Sequence, residues 1–209
     1  MKKLLLLLMA MTLMMPSAMA QNKKLEKERA KVYKAKLKEF TKEGWKIYGT
    51  SRTLKLALLE HYDKLNSLGD KAYEVIGVAT RFSSKNIGKQ TCMNNAINEY
   101  AQRAGSEVKA RIVSDMAGDG SSTEGEFDRF YAAYERCVQT EVKGELQESF
   151  CIIHQLNENE YEMQTYYIVN EDAAVKARIR AMENALKESE AAQKYAEKVS
   201  QFVREGFAE

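Results

Sequence analysis

The sequence predicts an α+β protein whose mainly antiparallel sheet of about four strands packs with helices and carries helical extensions at both ends. Two segments with the period of an amphipathic helix precede the first strand-like segment, and a long helical segment closes the chain. Between them, strand-like and helical segments alternate, and two final strand segments are joined by the polar turn NENE. The predicted order is α-α-β-α-β-α-β-β-α, which favours antiparallel neighbours at the closing hairpin.

The first 20 residues have the three parts of a secretory signal peptide. Lys2 and Lys3 form a basic start, residues 4–15 are apolar, and Ala18-Met19-Ala20 supplies a small-x-small cleavage site. The apolar run is shorter than the roughly 20 residues of a membrane span, although an uncleaved N-terminal anchor is the alternative. We therefore predict cleavage near Ala20, a periplasmic or secreted location, and no transmembrane span in the mature chain.

The charge of the chain is unevenly distributed. It has 32 basic and 30 acidic residues, and Lys2 and Lys3 account for the excess, so residues 21–209 carry no net charge. This balance gives no support for nucleic acid as a partner, which normally requires a basic face or domain. Nine basic and four acidic residues nevertheless lie between Asn22 and Glu43. Lys23 to Lys42 therefore form either a solvated helix face or a surface for anionic lipid or a partner.

Residues 21–70 are predicted as an N-terminal helical region, and residues 71–209 as an α+β domain with a long C-terminal helix. A charged helix from Asn22 to Glu43 ends at Gly44, and a short extended piece, WKIYG, leads to a second helix from about Ser51 to Leu68. Gly69 is a suitable stop for that second helix.

The α+β domain begins with the strand Tyr73 to Phe82, which is apolar on both faces like a central strand. A helix follows and is predicted to end at Gly105, after which the alternation in EVKARIVSDM predicts another strand. The remaining predicted elements are an aromatic helix whose core stripe is Phe127, Phe130, Tyr131 and Tyr134, a hairpin of strands at about 142–155 and 160–169, and a helix at about 172–207.

The predicted C-terminal helix has two halves with different apolar patterns, because Ser189 and Gln193 interrupt its seam. The first half is expected to pack on the sheet. The second half is expected to pair with the basic N-terminal helix or to reach a partner chain, which would give self-association.

The stretch VIGVATRFSSKNIGKQ has a strand–loop–helix order that invites comparison with phosphate-binding loops. Those loops place glycines after the strand, whereas Gly77 lies inside it and Gly88-Lys89 is followed by Gln90 instead of Ser or Thr. We therefore predict that Gly77 serves strand packing. The polar loop residues are assigned to the cap of the following helix: Ser83, Ser84 and Asn86.

Other side chains with chemical potential do not form a recognisable site. The loop SDMAGDGSSTEGE carries four acidic residues, Asp115, Asp119, Glu124 and Glu126, but its spacing differs from an EF-hand and favours a solvated turn. The only histidines, His61 and His154, have no metal-binding or catalytic partner nearby in sequence. We predict no catalytic, cofactor-binding or metal-binding residues, and no enzyme.

The three cysteines, Cys92, Cys137 and Cys151, form no CxxC or zinc pattern. An odd number excludes a fully paired disulfide framework. Two alternatives remain for them: buried apolar thiols, or a disulfide between Cys137 and Cys151.

Two stretches carry a family resemblance: the strand and helix from Tyr73 onward, and the hairpin that contains YEMQTYYIV. Over about Tyr73 to Arg180 the chain resembles the LPP-twenty-like envelope lipoprotein family of Helicobacter and related bacteria, and it is also similar to the N-terminal module of flagellar assembly protein T. The resemblance implies a small exported α+β envelope protein without known catalytic residues. The lipidation cysteine of the family is missing here, so lipid anchoring is not implied.

The sequence favours an exported cell-envelope structural or protein-interaction protein without catalytic activity, which would contact an envelope protein partner. The alternative is a periplasmic hydrolase or a small-ligand-binding protein with a pocket on the sheet. Its polar members would be Asp115, Asp119 and His154, which would have to meet in one concave pocket.

Overall fold

The computed structural model describes residues 24–116 and 124–205. The chain divides into two compact units after Gly44. In the first unit the described residues form one helix, α1, at 24–42. The second unit contains β1 (Lys46–Tyr48), α2 (Leu54–Leu68), β2 (Ala72–Phe82), α3 (Lys85–Met116), α4 (Glu124–Val142), β3 (Leu146–Gln155), β4 (Tyr161–Asn170), α5 (Glu171–Leu186), α6 (Glu190–Lys194) and α7 (Ala196–Glu205).

The four strands form one antiparallel sheet in the order β1-β3-β4-β2, which confirms the predicted α+β class. Thr165 of β4 lies between Gly77 of β2 and Cys151 of β3 in the register. Because alternate residues point to opposite faces, these three positions share one face, which packs on α3. The other face carries α2 through contacts of His61 with Phe150.

The main core lies between the sheet and the helices α3, α4 and α5. The predicted aromatic stripe of α4 is buried there, and the rings of Phe130 and Tyr134 stack with centroids 5.8 Å apart. This confirms that the stripe belongs to the core. Among the described residues, no helix combines the length and the apolar character needed to cross a bilayer.

The strand predicted at EVKARIVSDM is wrong, because α3 continues from Lys85 to Met116. The residues buried on this helix include Ala101, Ala104, Val108 and Ile112, whose spacing of three and four keeps one helical face against the core. Gly105 is therefore inside α3 and does not end it. The remaining strand of the sheet is β1, which belongs to the piece predicted only as short and extended and pairs with β3.

The prediction of a single C-terminal helix at 172–207 is also wrong, since the helix is interrupted after Leu186 and again at Tyr195. Ser189 begins α6 as an N-cap, and its side chain accepts a hydrogen bond from the amide of Ala192. In α7, Val199 and Val203 are buried within the second unit, where the helix contacts α3 and α5. The apolar face of the last helix is thus used inside the unit that contains it.

Candidate functional site

The strand–loop–helix stretch is a tightly packed joint between β2 and α3. A Cβ atom at Gly77 would overlap the backbone carbonyl of Cys92, and one at Gly88 would overlap the ring of Phe82. The carbonyl of Ser84 accepts the amide of Gly88 at 2.9 Å, so Ser84 stands at the start of the helix. The prediction that Gly77 serves packing is confirmed: the glycines let protein backbone and rings approach each other.

A histidine and a glutamate meet between α2 and the sheet. His61 is only 1% exposed, and its Nε2 atom lies 2.5 Å from Oε2 of Glu74 on β2. Its ring also meets Phe150 and Tyr166 edge-on, while Nδ1 has no hydrogen-bond partner among the described residues. Such burial leaves little access for a substrate, so the pair fixes α2 on the sheet. The sequence signal for it is the single carboxylate in the apolar start of β2, YEVIGV.

The alternative site is not assembled by the residues that the structure describes. His154 lies on β3 beside Trp45, with ring centroids 5.4 Å apart, on the sheet face opposite α3. Asp115 belongs to the end of α3, but its side chain lies outside the described part, as do all of Asp119 and the side chains of Glu124 and Glu126. In the described residues no group of three or more His, Cys, Asp or Glu side chains is placed to hold a metal ion.

A buried cation, the guanidinium of Arg178, lies in the main core. Arg178 of α5 is 1% exposed, and it donates hydrogen bonds to the hydroxyl of Tyr100 at 2.6 Å and to Oε1 of Glu171 at 2.5 Å. Tyr73 stacks on Tyr100 with the ring planes 4° apart. Tyr100 is 78 residues away from Arg178 in sequence, so local spacing could not predict this network.

The electrostatics of the core keep Arg178 charged and the tyrosine hydroxyls near it protonated. Burial lowers the pKa of Arg178, but the hydrogen bond and charge of Glu171 and the contact with Tyr100 outweigh it, so the guanidinium stays charged. Burial also raises the pKa of Tyr73 and of Tyr134, which keeps both hydroxyls protonated. The network is therefore a structural ion pair with tyrosines around it.

All three cysteines fall within the described residues, and none of them forms a disulfide. Cys92 and Cys151 lie in a small buried cluster on the α3 face of the sheet, where the hydroxyl of Thr165 donates to Sγ of Cys151 at 3.3 Å. Cys137 lies on α4 and is only partly buried. The structure contains no bridge between Cys137 and Cys151. Cys92 and Cys151 are buried thiols, as the other alternative predicted.

The thiols are expected to react with a thiol reagent such as Ellman's reagent at different rates. Burial raises the pKa of all three thiols, that of Cys151 to about 11, so the difference in rate should come from access, because Cys92 and Cys151 are buried and Cys137 is only partly buried. Cys137 should react first, and the other two should react only when the protein unfolds. Stopped-flow absorbance checks this, with Cys137→Ser as the control that removes the fast phase. Fast reaction of all three thiols in the folded protein would contradict the burial of the pair.

A row of lysines on α1, named the lysine stripe, forms a basic surface among the described residues. Its members are Lys24, Lys27, Lys31, Lys34, Lys38 and Lys42, and all of them are exposed. Their spacing of three or four residues places them on one side of the helix. The lysine stripe lies within the basic segment from Lys23 to Lys42 that the sequence predicts.

No protein-family model, curated protein or solved structure matches this chain. Function is therefore inferred from the residues themselves. The family resemblance over Tyr73 to Arg180 stays a prediction.

Proposed function

We propose that the chain is an exported cell-envelope protein that acts by binding a protein partner and catalyses no reaction. The observation that carries this proposal is the burial of several side chains that could otherwise serve in chemistry. His61, Arg178 and the Cys92–Cys151 pair are enclosed in the packed interior, each in contact with a neighbouring element. A catalytic or ligand-binding group normally faces a concave pocket that substrate can enter.

Export is the second part of the proposal, and it is supported by the sequence of residues 1–20. A basic start, an apolar run and a small-x-small site precede α1. The resemblance over Tyr73 to Arg180 to the LPP-twenty-like envelope family favours the same compartment. An exported protein of this kind would meet its partner in the periplasm or at a membrane surface.

The outer side of α2 favours contact with a protein. Ala57, Leu58 and His61 are buried toward the sheet, whereas Leu56 and Leu59 remain 44% and 49% exposed. The two leucines are three residues apart, so they are neighbours on one helical face. An apolar pair among charged residues is the composition of a small protein contact with a polar rim.

Site-specific photo-crosslinking in intact cells tests this proposal. A photoreactive residue at position 56 or 59 is expected to yield one discrete crosslinked protein. Matched controls are the same substitution at two exposed apolar residues elsewhere, Ile87 on α3 and Leu156 in the turn between β3 and β4. Equal crosslinking at all four positions, or none at 56 and 59, would contradict a specific protein contact through α2.

A further inference from the structure

The lysine stripe on α1 has the form of a surface that meets a flat array of negative charges. We propose that it docks the exported protein onto the anionic phospholipid headgroups of an envelope membrane. This inference rests on the proposed export, because export brings α1 to a membrane surface. It adds to the protein-binding role a second partner of different chemistry.

The geometry of the stripe favours a flat partner. From Lys24 to Lys42 the helix rises about 27 Å, at 1.5 Å per residue, so the six lysines are distributed along one side over that length. One ion pair of α1 involves a stripe member and another does not. Glu28 pairs with Lys31 at 2.7 Å from beside the stripe, and Glu39 pairs with Lys36, which is not a stripe member.

The choice of lysine also favours headgroups over a specific acidic protein. Lysine is a flexible point charge, whereas recognition of particular carboxylates or phosphates commonly uses the bidentate geometry of arginine. Each lysine near an anionic bilayer strengthens binding by about fivefold, so several lysines in one row give useful affinity. The remainder of the mature chain carries an excess of five acidic residues, which disfavours adsorption through other surfaces.

The attraction should be electrostatic and not insertive. Among the described residues of α1, the large apolar side chains that are strongly exposed are Leu25 and Val32. Two such residues offer little area for burial at the level of the acyl chains, compared with an amphipathic helix that has a full apolar face. Binding should therefore depend steeply on salt, since exposed charges are screened over a Debye length of about 3 Å at 1 M salt.

Cosedimentation with vesicles tests the inference, using the processed chain of residues 21–209 so that the apolar leader does not contribute. The probe is vesicles of equal parts phosphatidylglycerol and phosphatidylcholine, compared with phosphatidylcholine alone. We expect binding to the anionic vesicles only, with loss at about 1 M sodium chloride. The triple variant Lys27→Glu, Lys34→Glu and Lys38→Glu is expected to bind at least about a hundredfold more weakly, at about fivefold for each lysine lost.

A charge-matched control separates the stripe from net charge. The triple variant Lys143→Glu, Lys187→Glu and Lys194→Glu changes the charge equally at exposed positions outside α1 and should retain most of the binding. Circular dichroism should show unchanged helix content in both variants. Equal losses in both variants, or no vesicle binding by the wild type at low salt, would overturn the proposal.

Photo-crosslinking from stripe positions, added to the vesicle experiment, distinguishes a lipid from a protein as occupant of the stripe. If the wild-type protein does not bind vesicles but crosslinks to an acidic protein from stripe positions, the stripe binds protein and the lipid proposal fails. Because the vesicle experiment uses purified protein, its failure leaves the crosslinking result at Leu56 and Leu59 untouched. The two proposals can therefore fail separately.

Discussion

Replacing Arg178 by methionine is expected to lower the free energy of unfolding by about 3–5 kcal/mol, the usual cost of breaking a buried ion pair from one side. The guanidinium is nearly inaccessible to water and holds both Glu171 and the hydroxyl of Tyr100. Methionine fills part of the volume but donates no hydrogen bond. The carboxylate of Glu171, whose side chain is 23% exposed, would lose its cation in a poorly hydrated place.

Urea denaturation measures this loss as a shift of the midpoint at constant slope. The matched control is Arg180→Met, two residues along the same helix, because Arg180 also pairs with a glutamate but is 48% exposed. That variant should lose less than about 1 kcal/mol, as exposed ion pairs do. Similar losses for the two variants would show that the buried network contributes no more than a surface pair.

Gly77→Ala is expected to cost about 3 kcal/mol or more, at the upper end of the range for overpacked cores. The added methyl would overlap the carbonyl of Cys92, which is helix backbone and not a flexible side chain. To accept it, α3 would have to move away from β2 along their shared contact. The cost should therefore appear as lost stability and weaker packing of the Cys92 cluster.

The contrast with Gly105→Ala makes the effect specific to close packing. Gly105 lies inside α3, and a Cβ there would meet Glu135 at ordinary distances of 3.6 Å and beyond. Alanine at this position should raise the free energy of unfolding by about 0.5–1 kcal/mol through its better helix propensity. Urea denaturation of both variants checks that the free energy of unfolding falls for Gly77→Ala and rises for Gly105→Ala. A neutral Gly77→Ala would contradict the close approach of β2 and α3.

The fold class could be predicted from the sequence because most of its elements have strong periodic signals. The closing hairpin and the first long strand, Tyr73 to Phe82, follow from composition and turn residues. The strand predicted at EVKARIVSDM is wrong because apolar residues that alternate over a short stretch can also lie on one face of a helix, together with the alanines that precede them. Its helical state is decided by burial against distant helices, which outweighs the low helix propensity of Gly105.

Some features of the candidate sites could be predicted from the sequence, and others could not. The basic segment that contains the lysine stripe is visible as local charge, and Gly77 could be assigned to packing from its position in a strand. The pairs of Arg178 with Tyr100 and of His61 with Glu74 join different elements, so only the fold brings them together. Local patterns thus predict surfaces better than they predict buried contacts.

The most direct test of the central claim is the intact mass of the protein recovered from fractionated cells. An exported envelope protein with a cleaved leader should appear in the periplasmic or membrane fraction with the mass of a chain that begins at Gln21. Recovery of the full chain with Met1 from the cytoplasmic fraction would contradict export, and with it the proposed role in the envelope.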